Sequence, residues 1–497
     1  MSVILLLIVI SVIGLIFVWL HQHYGYWRHK GVAQEPPLYF LGHMKGFGRS
    51  LHWTDINQRI YEKFSGTQRY CGFFTFLSKA LFVMDLDLIR QIMVSDFGSF
   101  ADRGLFHNVR DDPLTGNLLF LDGVEWRWLR QHLTPVFSSG KMKFMFPTMV
   151  EVSEKLLKVC QSQLGDMEAK DLCARFTTDV IGSCAFGLEC NSLNDPDALF
   201  RHMGRSVTEK PLHSGIVIAL MFAQPNWARA LRLRLFRPEV SEFFLNTVSQ
   251  TLEYRRRERI QRSDLMQLLM ELKAEDRVHD GLSFKQITAQ ALMFFLAGFD
   301  TSSTTMSFCL YELALNPTVQ ERLRQEIINK IGSNQKLNYE TIQEMPYLEQ
   351  VISETLRKYP ILPHLLRRST KEYTIPDSEL KLKPGMRVMI PVHSIHHDPQ
   401  LYPEPLVFDP SRFEPEEIRK RHPFAYLPFG EGPRACIGER FGKMQVKIGI
   451  ISLIREFQFS KSERTQIPLQ FSKVNFLIGS ESGIHLKMER VSNIEFI

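Results

Sequence analysis

The stretch FGEGPRACIG, residues 429–438, places one cysteine, Cys436, among glycines, a proline and an arginine. Glycine lets the backbone adopt positive φ and approach a flat ligand closely, while proline stiffens the loop. Arg434 adds a positive charge near the sulfur. A thiolate near neutral pH needs a nearby positive charge, amide donors or a metal. We therefore expect Cys436 to carry the chemistry, with positive φ at Gly430, Gly432 and Gly438.

The sequence after this loop has the apolar spacing of a helix. Phe441, Met444 and Ile448 recur at roughly helical intervals in ERFGKMQVKIGIISLIREF, which begins at Glu439. Cys436 therefore precedes a helix N-terminus, where the helix dipole favours a negative sulfur. The alternative is a small buried hydrophobic residue, which is the usual role of a free cysteine.

Length and composition limit the class of protein. The chain has 497 residues, a formal net charge of +6 and seven cysteines without a CxxC pair. The charge bias is too small to indicate nucleic-acid binding and fits a protein near an acidic membrane surface or an acidic partner. The cysteine pattern argues against a disulfide scaffold and a zinc ribbon. No linker or repeat divides the chain beyond residue 51, so we expect one catalytic domain.

The N-terminus carries an apolar segment. Residues 2–20 are uncharged and long enough to cross a bilayer. A cleavable signal peptide is the competing interpretation, but it requires basic residues before the run and a small-residue cleavage site after it. Arg28 and Lys30 follow the run instead, so the positive-inside rule keeps the rest cytosolic. We predict a signal anchor over residues 1–27 and a cytosolic catalytic domain over residues 28–497.

Helical patterns dominate the catalytic domain and predict a mainly α fold with small β-sheets. The longest helix is expected over residues 284–315, and its apolar part is too short to span a membrane, so it should be a core helix. Residues 100–121 suit a long, mobile loop. Further helices are expected at residues 88–94, 124–133, 149–165, 174–186, 197–210 and 345–359, and strands at 81–84, 373–375 and 387–391.

The long helix contains the segment AGFDTS, residues 297–302. Glycine in a helix interior costs up to about 1 kcal/mol relative to alanine, and a threonine hydroxyl can take the carbonyl of the preceding turn. Either the glycine is merely tolerated, or Ala297 and Gly298 clear space for a ligand while Thr301 holds a water. In the second interpretation Asp300 relays protons. Adjacent helical residues do not share a face, so water or a side-chain rotation must connect Asp300 with Thr301.

A charged pair lies on a later helix. Glu354 and Arg357 stand three residues apart and share a face. An exposed pair would add only a few tenths of a kcal/mol. A buried pair needs a further partner for its remaining hydrogen bonds, and Arg412 in the segment PSRF is the candidate.

These motifs together resemble the cytochrome P450 family. FxxGxRxCxG, AGxDT, ExxR and a PxRF-type segment occur in the family's order, and residues 24–27, 102–104, 112–114 and 139–143 resemble microsomal members of the insect family 6 branch. The resemblance implies the P450 fold, with haem b between the long central helix and the cysteine-loop helix. It makes Cys436 the thiolate ligand of the iron, and Glu354, Arg357 and Arg412 a structural triad.

The resemblance also implies contacts to the haem. Its two propionates need cationic or hydrogen-bonding partners. Trp126 and Arg130 are four apart in WRWLR and share a helical face. Arg368 is adjacent to Arg367, and the sequence does not decide between the two. The implied contacts are Arg103, Trp126, Arg130, Ala297, Arg367, Phe429, Arg434, Cys436 and Gly438.

The implied activity inserts one oxygen atom from dioxygen into a lipophilic small molecule, which is a xenobiotic, plant toxin, insecticide or endogenous lipid or hormone. Asp300 and Thr301 would deliver protons. No dinucleotide-binding motif is evident, so NADPH acts through a separate NADPH–cytochrome P450 reductase, with cytochrome b5 as a further partner. The implied location is the endoplasmic reticulum membrane.

The rival functions are a haem-thiolate isomerase or dehydratase acting on peroxides, and a non-catalytic haem-binding membrane protein, neither of which needs this proton relay.

Two surface regions and a substrate pocket are also expected. Residues 216–236 combine an apolar half with several arginines, so they form either a buried helix and a solvated one or a surface that dips into lipid. The reductase is expected to dock on the cysteine side, at Arg127, Lys141, Lys143, Arg440, Lys443 and Lys447. The substrate pocket draws on Phe106, Phe120, Met293, Leu296, Ala297, Thr301, Ile361, Leu362, Leu365, Phe476 and Leu477.

Overall fold

The computed structural model describes residues 2–208, 210–262, 264–272, 281–332 and 337–491. The chain is mainly helical with small sheets, as predicted. Its α-helices are α1 (Ser2–Tyr24), α2 (Tyr26–His29), α3 (Trp53–Phe64), α4 (Leu86–Arg90), α5 (Gly123–Leu133), α6 (Ser139–Ser162), α7 (Ala169–Ile181), α8 (Leu199–Thr208), α9 (Gly215–Ala223), α10 (Pro225–Ala230), α11 (Pro238–Arg257), α12 (Leu265–Glu271), α13 (Phe284–Leu315), α14 (Pro317–Ile331), α15 (Pro346–Lys358), α16 (Val392–His396), α17 (Pro415–Lys420) and α18 (Glu439–Glu456). Its strands are β1 (Tyr70–Thr75), β2 (Ser78–Val83), β3 (Gly165–Glu168), β4 (Leu365–Arg368), β5 (Tyr373–Thr374), β6 (Lys381–Leu382), β7 (Arg387–Ile390), β8 (Phe457–Lys461) and β9 (His485–Arg490).

Helix α13 runs through the larger hydrophobic core and has the predicted bounds. Its start is fixed by a capping box, in which the Gln286 backbone N–H donates to the Ser283 hydroxyl and the Ser283 N–H donates to the Gln286 side chain. Its end is fixed by Asn316, because Pro317 begins the next helix. Helices α7 and α18 pack along α13.

The sheets surround this helical core. The larger sheet has the order β1-β2-β7-β4, with β2 parallel to β7, and the smaller ones have the orders β3-β9-β8 and β5-β6. The strands predicted at 81–84, 373–375 and 387–391 correspond to β2, β5 and β7 within a few residues. Strand β3 was missed because its sequence, GDME, lacks apolar alternation and is ordered by pairing with β9.

Several predicted helix bounds were wrong for local reasons. Helix α6 begins at Ser139 rather than at residue 149 because it accommodates Pro147 in its interior. Helix α7 begins at Ala169 rather than at residue 174 because the Glu168 carboxylate caps it. It continues as a π-helical turn over Gly182–Phe186. The helix predicted at 197–210 is described to Thr208, and residue 209 lies outside the described residues.

Contacts to other elements hold the loop at residues 100–121. The Gln290 side chain of α13 donates to the Gly116 carbonyl at 3.0 Å and accepts from the Leu118 N–H at 3.0 Å. The Asp112 carboxylate accepts from the backbone N–H groups of Leu235 and Phe236. The second half of the loop is therefore bonded to the central helix through Gly116 and Leu118 and to the segment before α11 through Asp112.

The N-terminal helix joins the catalytic domain by packing. Helix α1 is long and apolar enough to cross a membrane, yet Leu20 and Tyr24 near its end, and Trp27 just beyond it, are buried in the core that includes β1 and β2. Trp27 lies directly against Gly72, where a Cβ atom would come within 2.3 Å of its Cγ. The predicted boundary at residue 27 thus falls inside a stretch that packs on the sheet.

Residues 216–236 form two short helices, α9 and α10. In α9, Ala219 and Ala223 are buried in one cluster and Met221 in another, while Leu220 is exposed. Trp227 and Leu231 are also exposed. The segment is therefore not a simple buried helix followed by a solvated polar one, because both parts expose large apolar side chains.

Candidate functional site

The cysteine loop is a tight turn that delivers Cys436 to the start of α18. The Cys436 N–H donates to the Phe429 carbonyl at 2.9 Å, which closes the loop. Gly432 has φ +72°, and a Cβ atom there would lie 2.1 Å from the Met93 carbonyl oxygen, so no other residue fits without movement. Gly430 also has positive φ, but Gly438 has φ −94°, so the prediction for Gly438 was wrong. Helix α18 begins at Glu439, as predicted.

The protein alone does not stabilise the Cys436 thiolate. Burial raises the pKa of Cys436, and the Gly438 amide, Arg103 and Arg130 lower it without cancelling that effect. The side chain is nevertheless exposed, unlike the other six cysteines. Cys436 therefore lines an open space within the fold, and its negative form requires a further cation at the sulfur.

The Arg434 guanidinium is bonded to groups other than the Cys436 sulfur, although Arg434 is only two residues from Cys436. Its Nε donates to the Ala101 carbonyl at 2.8 Å, and both terminal nitrogens donate to the Leu121 carbonyl. Its guanidinium lies 3.6 Å from the centre of the Trp126 ring and 3.4 Å from Asp122 Oδ1. Burial, followed by Arg103, lowers the pKa of Arg434 to about 8.

Arginines from three other parts of the chain join this cluster. Arg130 on α5 donates to the Ala435 carbonyl at 2.9 Å. Arg103 donates to the carbonyls of Leu119 and Arg434, both at 3.1 Å, and burial lowers its pKa to about 10. Arg367 is 2 % exposed, and burial, followed by Arg103, lowers its pKa to about 9.

Arg367 and Arg368 have different surroundings. Among the residues that the structure describes, Arg367 donates only to the adjacent Leu366 carbonyl at 2.9 Å, and its buried Nε has no partner. Arg368 donates to Asp102 Oδ2 and to Asp122 Oδ2, both at 3.0 Å. Arg368 is thus neutralised by the protein, whereas Arg367 retains a buried charge that an external anion would satisfy.

Helix α13 exposes one narrow face although most of the helix is buried. Ala297 is exposed and Met293, Leu296 and Thr301 are half-buried, whereas the neighbouring Phe295 is fully buried. The Thr301 hydroxyl donates to the Ala297 carbonyl at 2.7 Å, the predicted bond to the preceding turn. This spacing places the partly exposed side chains on one side of the helix.

Gly298 has a packing role instead of widening the helix. Helix α13 is continuous through this position. A Cβ atom on Gly298 would lie 2.7 Å from the Ile181 side chain of α7, and its carbonyl accepts from Gln445 of α18 at 2.7 Å. Gly298 therefore allows α7 and α18 to approach α13 closely.

Asp300 has a partner that the sequence did not reveal. Lys170 Nζ, on α7, lies 2.8 Å from Asp300 Oδ1 and 2.9 Å from the Asp300 carbonyl. The same ammonium donates to the hydroxyls of Ser303 and Thr304. Asp300 is thus held on the side of α13 that faces α7.

The triad of Glu354, Arg357 and Arg412 is assembled as predicted. Arg357 forms two hydrogen bonds to the Glu354 carboxylate, at 2.7 and 2.8 Å, and both residues are fully buried. Arg412 Nε lies 3.5 Å from Glu354 Oε1. His396, which the sequence analysis missed, accepts from the Leu427 N–H at 2.9 Å while its carbonyl accepts from Arg357. The pair therefore supports the chain that leads into the cysteine loop.

Comparison with known proteins identifies the family. A family model described as "Cytochrome P450" matches residues 33–487. "Probable cytochrome P450 6a13" of Drosophila melanogaster is 72 % identical over 486 residues, which cover 98 % of this chain and 98 % of the relative. The chain belongs to the cytochrome P450 family. "Probable cytochrome P450 6a14" and "Cytochrome P450 6a2" of the same organism are 50 % and 43 % identical, over 97 % and 98 % of this chain and 98 % and 100 % of those proteins.

These relatives place the protein in the insect family 6 of cytochromes P450, as the motifs predicted. A cytochrome P450 is an oxidoreductase that holds haem through a cysteine thiolate and uses NADPH through a reductase. The protein is therefore a haem monooxygenase.

The residues present fit a haem. Cys436 requires a cation at its sulfur, which an iron ion supplies. The orphaned Nε of Arg367, and Arg103 with only carbonyl partners, require anions of the kind that propionates supply.

The expected pocket residues of this P450 differ in their exposure. Phe106 is fully buried against Met221 and Ala228, so it forms part of the wall behind the loop rather than its surface. Phe120 is buried and stacks on Phe222 of α9 at 6.3 Å. Ile361 is buried, and its carbonyl accepts from the Ile478 N–H. Residues that retain exposed surface are Met293, Leu296, Ala297, Leu362, Leu365, Phe476 and Leu477.

The cationic face near the cysteine is smaller than expected. Lys447 is buried and lies 2.9 Å from Glu349, and Lys443 lies 3.2 Å from the same carboxylate. Lys143 pairs with Glu340. These three lysines of the expected docking surface are therefore each paired with a carboxylate. Arg127, Lys141 and Arg440 remain at the surface, beside exposed apolar Val124 and Phe144.

Proposed function

We propose that this P450 is a membrane-anchored monooxygenase that oxidises lipophilic small molecules with electrons from a separate NADPH–cytochrome P450 reductase. The observation that carries this proposal is the partly exposed apolar stripe Met293, Leu296 and Ala297 on an otherwise buried helix, which ends at the hydroxyl of Thr301. An apolar lining with few polar groups selects lipophilic ligands. The names of the relatives do not state a substrate, so the proposed substrate class rests on this lining.

Cys436 is proposed to hold the iron, and Arg103, Arg130, Arg367 and Arg434 to neutralise the propionates. Of these arginines, Arg367 has a buried Nε without a hydrogen-bond partner among the described residues, whereas Arg434 already pairs with Asp122. When bound, haem would supply dioxygen activation, which a cysteine thiolate ligand such as Cys436 would favour. The residues proposed to flank or orient the haem are Trp126, Ala297, Phe429 and Gly438.

The proposed roles of Asp300 and Thr301 concern protons. Reduction of dioxygen with transfer of one oxygen atom to a substrate consumes two protons and releases one water. Thr301 holds a water at the exposed face of α13, and Asp300 supplies protons to it from the α7 side. Because the two residues do not share a face, the Asp300 side chain must rotate or a water must bridge the gap.

The test is oxygen incorporation from labelled dioxygen. Membranes that contain the full chain and added reductase are incubated with NADPH, ¹⁸O₂ and a panel of lipophilic substrates, and products are analysed by mass spectrometry. We expect one labelled oxygen atom per product molecule. The matched control is Cys436→Ala, which should lose both the product and the red-shifted absorption band of the reduced carbon monoxide complex. Unlabelled product, or product without NADPH, would contradict the proposal.

The proposed location is the endoplasmic reticulum membrane, with α1 as a single-pass anchor and the catalytic domain in the cytosol. The length and apolarity of α1, together with Arg28 and Lys30 after it, support this topology. The exposed apolar side chains of Leu220, Trp227 and Leu231 support a second contact with lipid. Protease treatment of sealed microsomes should digest the catalytic domain without detergent. Protection of the domain would show the opposite orientation.

The proposed reductase-docking surface consists of Arg127, Lys141 and Arg440 around the exposed apolar Val124 and Phe144. Cationic groups steer an acidic flavoprotein, and a central apolar side chain provides contact area. Cytochrome b5 is proposed to use the same surface.

The docking surface is tested by charge reversal. Arg127→Glu should slow reductase-driven turnover and leave turnover supported by an organic peroxide unchanged. Lys371→Glu, at another exposed position, is the control. Equal loss of both activities in Arg127→Glu would contradict docking at this surface.

A further inference from the structure

Two arginines, Arg229 and Arg387, have no carboxylate partner within the part of the chain that the structure describes. Arg387, on β7, donates to the Phe222 carbonyl. Arg229, on α10, donates to the His107 carbonyl at 2.8 Å and to Asn226 Oδ1 at 3.0 Å. Both side chains are half-buried. Since a guanidinium has five N–H donors, each of the two keeps donors that a ligand can reach.

The aspartates of this region, Asp102 and Asp122, are already used. Asp122 Oδ1 accepts from the backbone N–H of Arg103 at 2.9 Å, and its Oδ2 accepts from Arg368 at 3.0 Å. Asp102 Oδ1 accepts from the Gly123 N–H at 2.9 Å, and its Oδ2 accepts from Arg368 at 3.0 Å. Each carboxylate oxygen therefore has a donor, and the charge of both aspartates is directed to Arg368 instead of the two arginines on β7 and α10.

The sheet places Arg387 directly opposite another arginine. Arg368 of β4 is its register partner in the antiparallel pair of β4 and β7. Opposite residues project from the same face of a sheet, and like charges there destabilise the pair. Burial, followed by Arg368, lowers the pKa of Arg387 to about 10 and also lowers the pKa of Arg229. Positive charge is therefore concentrated here, and a bound anion would offset the repulsion.

An apolar surface leads from these arginines into the fold. Phe222, whose carbonyl accepts from Arg387, is half-buried, and its ring stacks on that of Phe120 with centroids 6.3 Å apart. Phe120 is one of the residues expected to line the substrate pocket. Phe222 also packs against the cluster that contains Phe106. A ligand whose anionic end is held at Arg387 would therefore place its apolar part against Phe222 and Phe120.

The arrangement favours a small-molecule carboxylate over a lipid headgroup. Trp227 and Leu231, which support a contact with lipid, are exposed, whereas Arg229 and Arg387 are half-buried. The chains of a phospholipid extend into the bilayer, away from the protein. The apolar surface beside Arg387 instead runs inward to Phe120. A carboxylate also matches the planar fork of a guanidinium through two parallel hydrogen bonds.

We propose that Arg229 and Arg387 form an anion-recognition site beside the substrate pocket, and that the preferred substrates are lipophilic molecules that carry a carboxylate. The carboxylate binds between the two guanidinium groups, and the apolar body of the molecule extends along Phe222 toward the pocket. The arginines select and orient the substrate and take no part in the oxidation. This inference rests on the proposed oxidation of lipophilic small molecules and names their class more narrowly.

The binding experiment uses ω-phenylhexanoic acid and its methyl ester, which share an apolar body and differ in charge. Each is titrated into the full-length haem enzyme in discs of phosphatidylcholine, without NADPH or reductase. The change in the haem absorption spectrum gives the dissociation constant, and equilibrium dialysis gives it where the spectrum does not change. We expect Arg387→Leu and Arg229→Leu each to weaken binding of the acid about tenfold or more, the effect of one hydrogen bond to a charged group. Binding of the ester should change little.

Two further variants serve as controls. Arg387→Lys keeps the charge but loses the planar fork, so its affinity for the acid should lie between those of wild type and Arg387→Leu. Arg256→Leu removes an exposed arginine of α11 and should keep the acid-to-ester preference of the wild type. The red-shifted band of the reduced carbon monoxide complex verifies that each variant holds haem through its thiolate.

Three binding results would overturn the inference. Equal weakening of acid and ester in Arg387→Leu would mean that Arg387 only supports α9 through the Phe222 carbonyl. An unchanged acid-to-ester preference in both leucine variants would mean that the arginines do not contact the acid. The third result is an unchanged preference together with an unfolding midpoint that phosphatidic acid in the discs raises for the wild type but not for Arg387→Leu, which would assign the arginines to lipid phosphate.

Turnover separates this inference from the proposed function. With reductase, NADPH and ¹⁸O₂, the wild type should oxidise the acid with a lower KM than Arg387→Leu does and with a similar kcat. Labelled product from the ester, without preference for the acid in the wild type, would overturn the inference and leave the proposed function standing. Absence of labelled product from every lipophilic substrate would contradict the proposed function and with it the role of the acid as a substrate, even where the binding results are as expected.

Discussion

At the scale of single residues, the buried arginines near Cys436 divide by whether they have a carboxylate partner. Arg434 has Asp122, and Arg368 has both Asp102 and Asp122. Arg367 has only a backbone carbonyl, and burial lowers its pKa to about 9. A buried guanidinium without an anion destabilises the fold, and a bound anion relieves that cost. This difference favours Arg367 over the adjacent Arg368 as the proposed partner of a haem propionate, a choice that the sequence left open.

We predict that Arg367→Leu increases the rate of haem loss about tenfold or more, since a hydrogen bond to a charged group contributes about 1.5–3 kcal/mol. Transfer of haem to an acceptor apoprotein, followed by absorbance, measures the rate. The matched variant Arg368→Leu should change haem loss less and instead lower stability, because it leaves Asp102 and Asp122 without their cation. Faster haem loss from Arg368→Leu than from Arg367→Leu would refute the assignment.

Residue-level features were predictable where they depend on neighbours in sequence. The Thr301 bond to Ala297 and the Glu354 pair with Arg357 each span one helical turn. Lys170 contacts Asp300 although the two residues are 130 positions apart, so no local sequence pattern predicts this pair. The carboxylate partners of Lys443 and Lys447 divide in the same way, because Glu439 lies four residues before Lys443 on α18 whereas Glu349 comes from α15.

At the scale of secondary-structure elements, helix bounds were predictable where capping residues or prolines mark the helix ends. The bounds of α13 follow from Ser283 and Gln286 at one end and Asn316 with Pro317 at the other. The join between α1 and the sheet had no such signal. It depends on Trp27 filling the space that Gly72 leaves open on β1, a contact visible only in three dimensions.

We predict that Gly72→Ala lowers the free energy of unfolding by about 1–3 kcal/mol, the usual cost of overpacking. The new Cβ atom would lie 2.3 Å from Trp27 Cγ, so the indole must move. Trp27→Ala should cost about 3–5 kcal/mol by leaving a cavity. Denaturant unfolding of the full chain in detergent measures both changes in the free energy of unfolding.

A double-mutant cycle of Gly72→Ala and Trp27→Ala checks whether these two residues are in contact. In the Trp27→Ala background, Gly72→Ala should cost much less, because the clash is gone. Gly140→Ala is the control, since a Cβ atom there meets nothing within 4 Å. Equal costs of Gly72→Ala in both backgrounds would mean that Trp27 is not its main contact.

At the scale of the whole molecule, buried histidines make stability depend on pH. Burial lowers the pKa of His52 to about 4 and that of His364 to about 3, from 6.5. Both are neutral in the folded chain at pH 6.5 and somewhat below, whereas the unfolded chain binds protons there. The free energy of unfolding should therefore be highest above pH 6.5 with respect to these groups and fall as the pH decreases toward about 4.

We predict that His364→Gln flattens this dependence by up to about 1.4 kcal/mol per pH unit, the effect of one proton. Denaturant unfolding at several pH values between about 7 and 5 measures the slope. The exposed His202 provides the control variant His202→Gln, which should leave the slope unchanged. An unchanged slope in His364→Gln would show that this histidine titrates alike in both states.

The packed join between α1 and the sheet also sets how the molecule meets the membrane. Tyr39 lies with its ring 5.2 Å from that of Phe17 and 5.9 Å from that of Tyr24, so the loop at residues 38–41 stands beside the last turns of α1. Leu38, Phe40 and Leu41 of this loop are exposed. If α1 spans the bilayer, its last turns lie at the interface and the loop is immersed there with them.

We therefore predict that a fluorescent amino acid at Phe40, which is 59 % exposed, is quenched by brominated lipids in vesicles that contain the full chain. The matched probe at Val124, 83 % exposed on the cysteine side, should not be quenched. A flexible tether would let the domain tumble and reduce the difference between the probes, whereas the buried Leu20, Tyr24 and Trp27 hold a single orientation. Equal quenching at both positions, with the protein in the membrane fraction, would refute the rigid join. Recovery of the protein in the soluble fraction would instead refute the anchor.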